Sequence, residues 1–230
     1  MTAASTGTRV RLTAALLSTA VIAVSGCGPK VPDYQSIWTS TTPTTTSAAE
    51  GPLPISQYLE SVGVTGETVT PERLTDLTVT LPTPPGWQAY RNVNLAPGTR
   101  VISKGETYPT AMLVVVKLTG DFDVAEAIGH GYVDAERSDN FKRLNASNKD
   151  WRGMPSSMIE GSYDLNGARM QSYNRVVIAT GTKPPTKPGQ PAPPPQRYLV
   201  QLTVTSFADQ ARADGPDIEA ILKGFNVAPK

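Results

Sequence analysis

The clearest signals along the chain are changes of hydrophobic period. Leu77-Thr78-Val79-Thr80-Leu81 alternates apolar and polar residues with period two, as a strand with one covered face does, and Pro82, Pro84, Pro85 and Gly86 end it. Ala111 to Leu118 is almost wholly apolar through Met112, Leu113, Val114, Val115 and Val116, which suits a central strand covered on both faces. Helices are therefore expected on both sides of the sheet. One helix is predicted to start after Asp123. Asp123 and Glu126 form a D-x-x-E capping box, Phe122 stands at the staple position, and Val124, Ile128, Tyr132 and Ala135 make one apolar stripe. Gly129 and Gly131 weaken that helix by about 1 kcal/mol each relative to Ala, which points to close packing on the sheet or to room for something else.

After Phe141 the pattern turns to strands. Asn166-Gly167 suits a type I′ turn between strands at about 156–164 and 168–178. Tyr198, Val200, Leu202 and Val204 alternate with Leu199, Gln201, Thr203 and Thr205, which predicts a last strand with a chiefly polar second face. A helix is then expected to close the fold. Asp214 is its N-cap, Pro216 lies in its first turn, Ile218, Ile221 and Leu222 form its stripe, and Gly224 with Phe225 makes a Schellman-type ending. The order helix, strands, helix, strands, helix is that of an α+β sandwich with a mainly antiparallel sheet. Residues 179–196 interrupt it with a Pro-rich loop, seven of the twelve residues 184–195 being Pro. Such a loop is either a disordered hairpin tip or a polyproline II arm for a partner.

The first 54 residues do not belong to that domain. Arg9 and Arg11, with no acidic residue nearby, precede an apolar run from Leu12 to Val24, a basic region and a hydrophobic core of export-signal length, too short to span about 30 Å of hydrocarbon. Val24-Ser25-Gly26-Cys27 follows and resembles the lipobox of bacterial lipoproteins, in which the chain is cut between the positions held here by Gly26 and Cys27 and the thiol is diacylglycerated. The alternative is a plain secretory signal with a chance cysteine. Against it stands the fact that Cys27 is the one cysteine of the chain. Two acyl chains make an anchor effectively permanent where one is marginal. Residues 27–54 follow as a tether, with nothing but Thr, Ser and Pro from Thr39 to Ser47. A stretch of this kind buries too little apolar surface to order itself, and about 26 residues of it reach roughly 28 Å as a flexible coil. The expected division is thus 1–26 signal, 27–54 lipidated tether and 55–230 folded domain.

Composition mainly excludes. The 230 residues hold 21 Lys+Arg against 20 Asp+Glu, so no strong field is present to attract nucleic acid. One Cys and one His leave no disulfide and no protein-only zinc site of the usual kinds. Neither a Gly-x-Ser-x-Gly elbow, a P-loop nor a dinucleotide fingerprint occurs. A Ser-His-Asp arrangement would need His130, which reads more simply as a structural or surface histidine. The acids at 121, 123 and 126 are explained by helix capping. The expectation is therefore no catalytic residue set, no metal and no cofactor. Trp87, Tyr90, Trp151 and Tyr173 are the candidate ligand or partner contacts, because aromatic rings offer apolar faces with polar tips; the plainer reading of the same residues is core or rim packing.

At Ile55-Ser56-Gln57-Tyr58-Leu59-Glu60-Ser61-Val62-Gly63-Val64-Thr65-Gly66, Pro82-Thr83-Pro84-Pro85-Gly86-Trp87, Tyr108-Pro109-Thr110-Ala111-Met112-Leu113 and Phe225-Asn226-Val227-Ala228 the chain resembles the mycobacterial LpqN/LpqT lipoprotein family. That resemblance implies a Mog1/PsbP-like α/β/α sandwich around an antiparallel sheet and a binding or assembly role rather than catalysis. It also implies association with the mycobacterial envelope and its glycolipid traffic; with the lipobox this gives the outer face of the plasma membrane, and an envelope glycolipid or a transporter protein as the candidate partner. The rival functions are a pure protein-interaction module that uses the 179–196 arm, and an envelope lipid esterase or glycosidase acting through His130 or Asp123 and Glu126.

Overall fold

The computed structural model describes residues 51–91, 95–185 and 193–230. The export segment, Cys27 and the tether as far as Glu50 lie outside the described residues, as do 186–192 of the Pro-rich loop. The chain begins with α1 (Ile55–Ser61), β1 (Thr65–Thr68), a 3-10 turn at Pro71–Arg73, β2 (Leu77–Thr80), β3 (Gln88–Ala89), β4 (Arg100–Ser103) and β5 (Thr110–Thr119). Two short helices follow, α2 (Val124–Gly129) and α3 (Val133–Glu136). Then come β6 (Lys142–Ser147), β7 (Ser156–Leu165), β8 (Ala168–Thr180), β9 (Arg197–Phe207), α4 (Ala211–Gly224) and β10 (Asn226–Pro229).

The large sheet runs in the order β3-β4-β5-β9-β8-β7-β6, and every pairing is antiparallel. Along one side of β5 two strands share the edge: β4 pairs with residues 110–113 and β1 with residues 116–119. Strands β2 and β10 form a separate two-stranded ribbon with Val79 opposite Val227. This ribbon and α4 cover one face of the sheet, the ribbon face, where Leu113, Val115, Val177, Val200 and Leu202 meet Leu77, Ile221, Phe225 and Val227. Helices α1 and α2 cover the other, the helix face, where Val114, Val116, Val176, Ile178 and Leu199 meet Ile55, Leu59 and Ile128. The apolar run 111–118 is thus a two-sided central strand. The Asn166-Gly167 hairpin is also present, with φ of 50° and 80° at the two turn residues, as the type I′ turn requires.

Two local expectations need correction, and a third gains its surroundings. The Asp123 carboxylate caps α2, accepting from the Glu126 N–H at 3.0 Å, but one helix does not continue to Ala135. It stops at Gly129 and resumes at Val133, because the chain closes onto β7 at Gly131, where a Cβ would stand 1.8 Å from Ser157 Oγ. The polar second face of β9 is present, and it is covered: Gln201, Thr203 and Thr205 are all buried. Its members pair with neighbours. Thr203 Oγ1 donates to Asn174 Oδ1 at 2.9 Å and Asn174 Nδ2 to Ser172 Oγ at 3.2 Å, so the burial of hydroxyls and amides is largely compensated. Finally, α4 starts at Ala211 rather than at Asp214, since the Gln210 carbonyl already accepts from the N–H groups of Ala213 and Asp214 at 2.8 and 3.0 Å. Asp214 lies buried inside it, Pro216 is interior, and Phe225 leaves it in an extended conformation that leads straight into β10. The ending is therefore a strand entry rather than a Schellman turn.

Candidate functional site

Of the four aromatic candidates, three lie on the ribbon face. Trp87 is 6% exposed, and its indole N–H donates to Asp217 Oδ2 at 3.2 Å, an oxygen that also accepts from Lys104 Nζ at 2.7 Å. Lys104, and after it Trp87, hold the Asp217 carboxyl below its ordinary pKa. Trp151 stacks on Phe225 with centroids 5.0 Å apart, while the guanidinium groups of Arg152 and Arg175 stand 4.7 and 5.4 Å from its ring. Arg175 Nε donates to the Tyr173 hydroxyl at 2.7 Å, and Arg152 donates to Asn226 Oδ1 at 2.6 Å and to the Lys223 carbonyl at 3.1 Å. Trp151 and Tyr173 are thus brought together by one arginine, in a cluster that bolts the 150–154 turn to the corner between α4 and β10. Tyr90 stands apart, near the β4 edge, where its N–H donates to the Val101 carbonyl at 2.9 Å. It neighbours Tyr108, whose phenol is pushed up to about 12 chiefly by burial, with Tyr163 and Tyr90 adding to the effect.

His130 caps the end of α2. Its Nδ1 hydrogen-bonds the Leu53 carbonyl at 2.7 Å, its ring stacks on Tyr58 at 4.4 Å, and its Nε2 is 3.7 Å from Glu126 Oε1. Arg137 holds the Pro52 carbonyl in the same region at 3.0 Å. These groups fasten residues 52 and 53 to the domain, and Asp123 is engaged as a cap. Among the described residues no group of three or more His, Cys, Asp or Glu side chains is placed to hold a metal, and no helix is long and apolar enough to cross a membrane.

A concave feature among the described residues lies elsewhere. Where β4 leaves the side of β5 and β1 takes over, the sheet edge splits and an open groove of about 410 Å³ forms. Thr68 and Glu67 of β1, the segment Val69 to Thr75, Pro97 and Gly98 before β4, Lys117 of β5 and Tyr198 of β9 contribute to its walls. Its construction is local. Val69 extends the β1 edge by donating to the Val115 carbonyl at 2.8 Å, and the Arg73 N–H closes the 3-10 turn onto the Thr70 carbonyl at 2.9 Å. Gly98 has φ of +91°, and a Cβ there would sit 3.2 Å from both Thr68 Cγ2 and the Val69 carbonyl carbon, so glycine lets the two strands approach at the rim. Arg100 and Glu72 pair at 3.0 Å, both well exposed.

Asp76 organises the neighbouring wall. Its carboxylate accepts from the Tyr198 hydroxyl at 2.8 Å, and burial, reinforced by this bond, holds that phenol well above its ordinary pKa. The Asp76 carbonyl accepts from the N–H groups of Thr182 and Lys230. Gln196 Nε2 reaches the Leu118 carbonyl at 2.6 Å and Gly181 N–H the Gln196 carbonyl at 2.8 Å. Both roots of the Pro-rich loop are therefore tied down beside the groove.

A groove of this volume is in the range of small-molecule sites, and its walls include three threonines, one carboxylate and two cations. Such a set is suited to polar ligands. None of these residues was singled out from the sequence, because they come from four separate segments with no common spacing. One signal was present: Lys117 is the lone charge within the apolar run of β5.

A family model described as Probable lipoprotein LpqN matches residues 51–228. The chain is 54% identical over 226 residues to lipoprotein LpqT of Mycobacterium tuberculosis (strain ATCC 25618 / H37Rv), with 96% of each chain covered. It is 38% identical over 189 residues to the Proline-rich 28 kDa antigen of the same organism, covering 80% of this chain and 56% of that one. In three dimensions it resembles the crystal structure of LpqN, involved in cell envelope biogenesis of Mycobacterium tuberculosis. There the TM-score is 0.62 at 19% identity, over 77% of this chain and 99% of that chain.

Proposed function

The chain belongs to the Lpp-LpqN family of lipoproteins, and from that membership we propose a non-enzymatic binding module tethered to the outer face of the plasma membrane. Cys27 carries a diacylglyceryl anchor after cleavage behind Gly26, and the domain binds the headgroup of an envelope glycolipid in the groove, in support of its export or assembly. The observation that carries this reading is the groove itself, about 410 Å³ of concave space walled by Thr68, Thr70, Thr75 and charges of both signs. A sugar headgroup brings hydroxyls that must each find a partner once covered, and donors and acceptors of both kinds are offered there. The family's lipoprotein naming and the involvement of LpqN in cell envelope biogenesis support placing the chain in the envelope. His130 is committed to the Leu53 carbonyl and the Tyr58 ring, which speaks against the hydrolase reading.

The test is native mass spectrometry of the full chain in detergent with extracted envelope lipids. A glycolipid adduct is expected with the unaltered chain and not with Thr70→Trp, which fills the groove. An adduct that survives Thr70→Trp, or none at all, removes the reading. The anchor has its own test, since a Cys27→Ala chain should leave the membrane fraction.

The protein-interaction reading keeps one specific support: the roots of the Pro-rich loop are fixed by Asp76 and Gln196 next to the groove. Deleting 184–195 should abolish capture of a transporter partner while leaving lipid binding intact.

A further inference from the structure

Resting on the groove reading above, we propose that its occupant is an anionic polyol, in its simplest form a sugar phosphate, whose negative group sits between Arg73 and Lys117. Both residues line the groove. Several arginines and lysines elsewhere are paired with acids: Arg100 with Glu72, Lys104 with Asp217, Arg143 with Glu136, Arg169 with Asp164 and Lys223 with Glu219. Arg73 and Lys117 make no ion pair or side-chain hydrogen bond with a described residue. This holds although Glu67 stands directly opposite Lys117 in the β1–β5 register and lines the same groove.

The two cations come from different elements, Arg73 from the 3-10 turn and Lys117 from the carboxyl-terminal part of β5, next to the edge strand β1. An anion between them would meet a planar fork on one side and a point charge on the other, which suits a tetrahedral group. Lys117 is half-buried, so its charge is less screened than that of a surface lysine. With the anion placed, Glu67 and the hydroxyls of Thr68, Thr70 and Thr75 remain for the uncharged part. A carboxylate accepts from ligand hydroxyls and repels a second anionic group, so one anion on a hydroxylated body is the complementary ligand.

Isothermal titration of the full chain in detergent, with glucose 6-phosphate against glucose, tests this. Glucose 6-phosphate is expected to bind at least tenfold more tightly than glucose, with an affinity that falls as salt rises. Arg73→Gln or Lys117→Gln should each weaken it about tenfold and the double change about a hundredfold. Lys117→Arg should restore most of the affinity, and Lys142→Gln, on the far edge of the sheet, should change nothing. Circular dichroism checks that each variant is folded. Mixed micelles with phosphatidylinositol or with phosphatidylcholine identify the source. Arg73- and Lys117-dependent binding of the former alone marks a lipid headgroup, and binding of glucose 6-phosphate alone marks a free solute. Equal binding of glucose and glucose 6-phosphate, or affinity indifferent to both substitutions, overturns the anion assignment. If Thr70→Trp still abolishes glycolipid binding in that case, the groove reading stands without it; if it does not, both fall.

Discussion

On the ribbon face, Ala111, Leu113, Val115, Val200, Leu202 and Val204 form an unbroken apolar floor, closed by the indoles of Trp87 and Trp151 and by Phe225. On the helix face, Val114 and Leu199 give way within one strand turn to Gln201, Thr203, Asn174 and Ser172, all buried and joined in a hydrogen-bonded row. The first face depends on shape and volume. The second depends on each polar atom finding a partner, and among the described residues Ser157 Oγ and Gln201 Oε1 are buried without one. A cavity of about 10 Å³ bounded by Ile55, Gly131, Asp134, Asn174 and Gln201 lies beside this row, about the size of one water. The same sheet therefore carries one face that resists deletion poorly and one that should accept apolar replacement if it is made in matched pairs.

Substitutions on both faces probe that contrast. Phe225→Ala removes a fully buried ring and the stack under Trp151, and should cost about 4 kcal/mol in chemical denaturation; a loss below about 1 kcal/mol would show that the ribbon face relaxes around the hole. Gly131→Ala drives a Cβ into Ser157 Oγ and should cost about 2–3 kcal/mol. Ser157→Gly in the same chain should return most of it, and a double variant no better than the single would place the clash elsewhere. Thr203→Val leaves Asn174 Oδ1 without its donor and should cost about 1–2 kcal/mol, whereas Thr203→Val with Asn174→Leu should come back close to the parent. Additive losses in that pair would make the polar row a contributor to stability in its own right.

The smallest effect carries a pH signature. Burial raises the pKa of Asp134, with Arg137 opposing, so the unfolded chain releases this proton more readily than the folded one. The folded state is penalised above the unfolded carboxyl pKa, and the penalty fades as pH falls below it. Asp134→Asn is expected to add about 1 kcal/mol of stability at pH 7 and nothing below about pH 4. Thermal unfolding at both pH values decides it, and a gain equal at the two would mean that charge burial is not the cause.

What could be read from the chain before its structure follows the same division. The two-sided strand at 111–118, the Asn166-Gly167 turn and the Asp123 cap were legible because each is a local rule carried by adjacent residues. Helices on both faces followed from the first of these alone. The polar row was legible but its burial was not, because alternation reports the period of a strand and not what covers it: that Thr203 and Thr205 are buried depends on Asn174 and Ser172 lying beside them. The break at Gly131 depends on Ser157, twenty-six residues later. The groove was invisible for a related reason, since its walls assemble only when β1 and β4 divide the edge of β5 between them. The aromatic residues that drew attention as contacts are conspicuous in sequence for the size that also makes them good fasteners, and Trp151 between Phe225 and two arginines shows the second use.

The pairing of β2 with β10 also sets an order in time. Leu77 and Val79 have no strand partner until residues 226–229 are in place, nearly 150 positions further along. A chain that emerges amino end first delivers those residues after every other part of the ribbon face. Its apolar floor therefore stays open until residues 226–229 arrive, and closure of that face waits on a contact of high sequence separation.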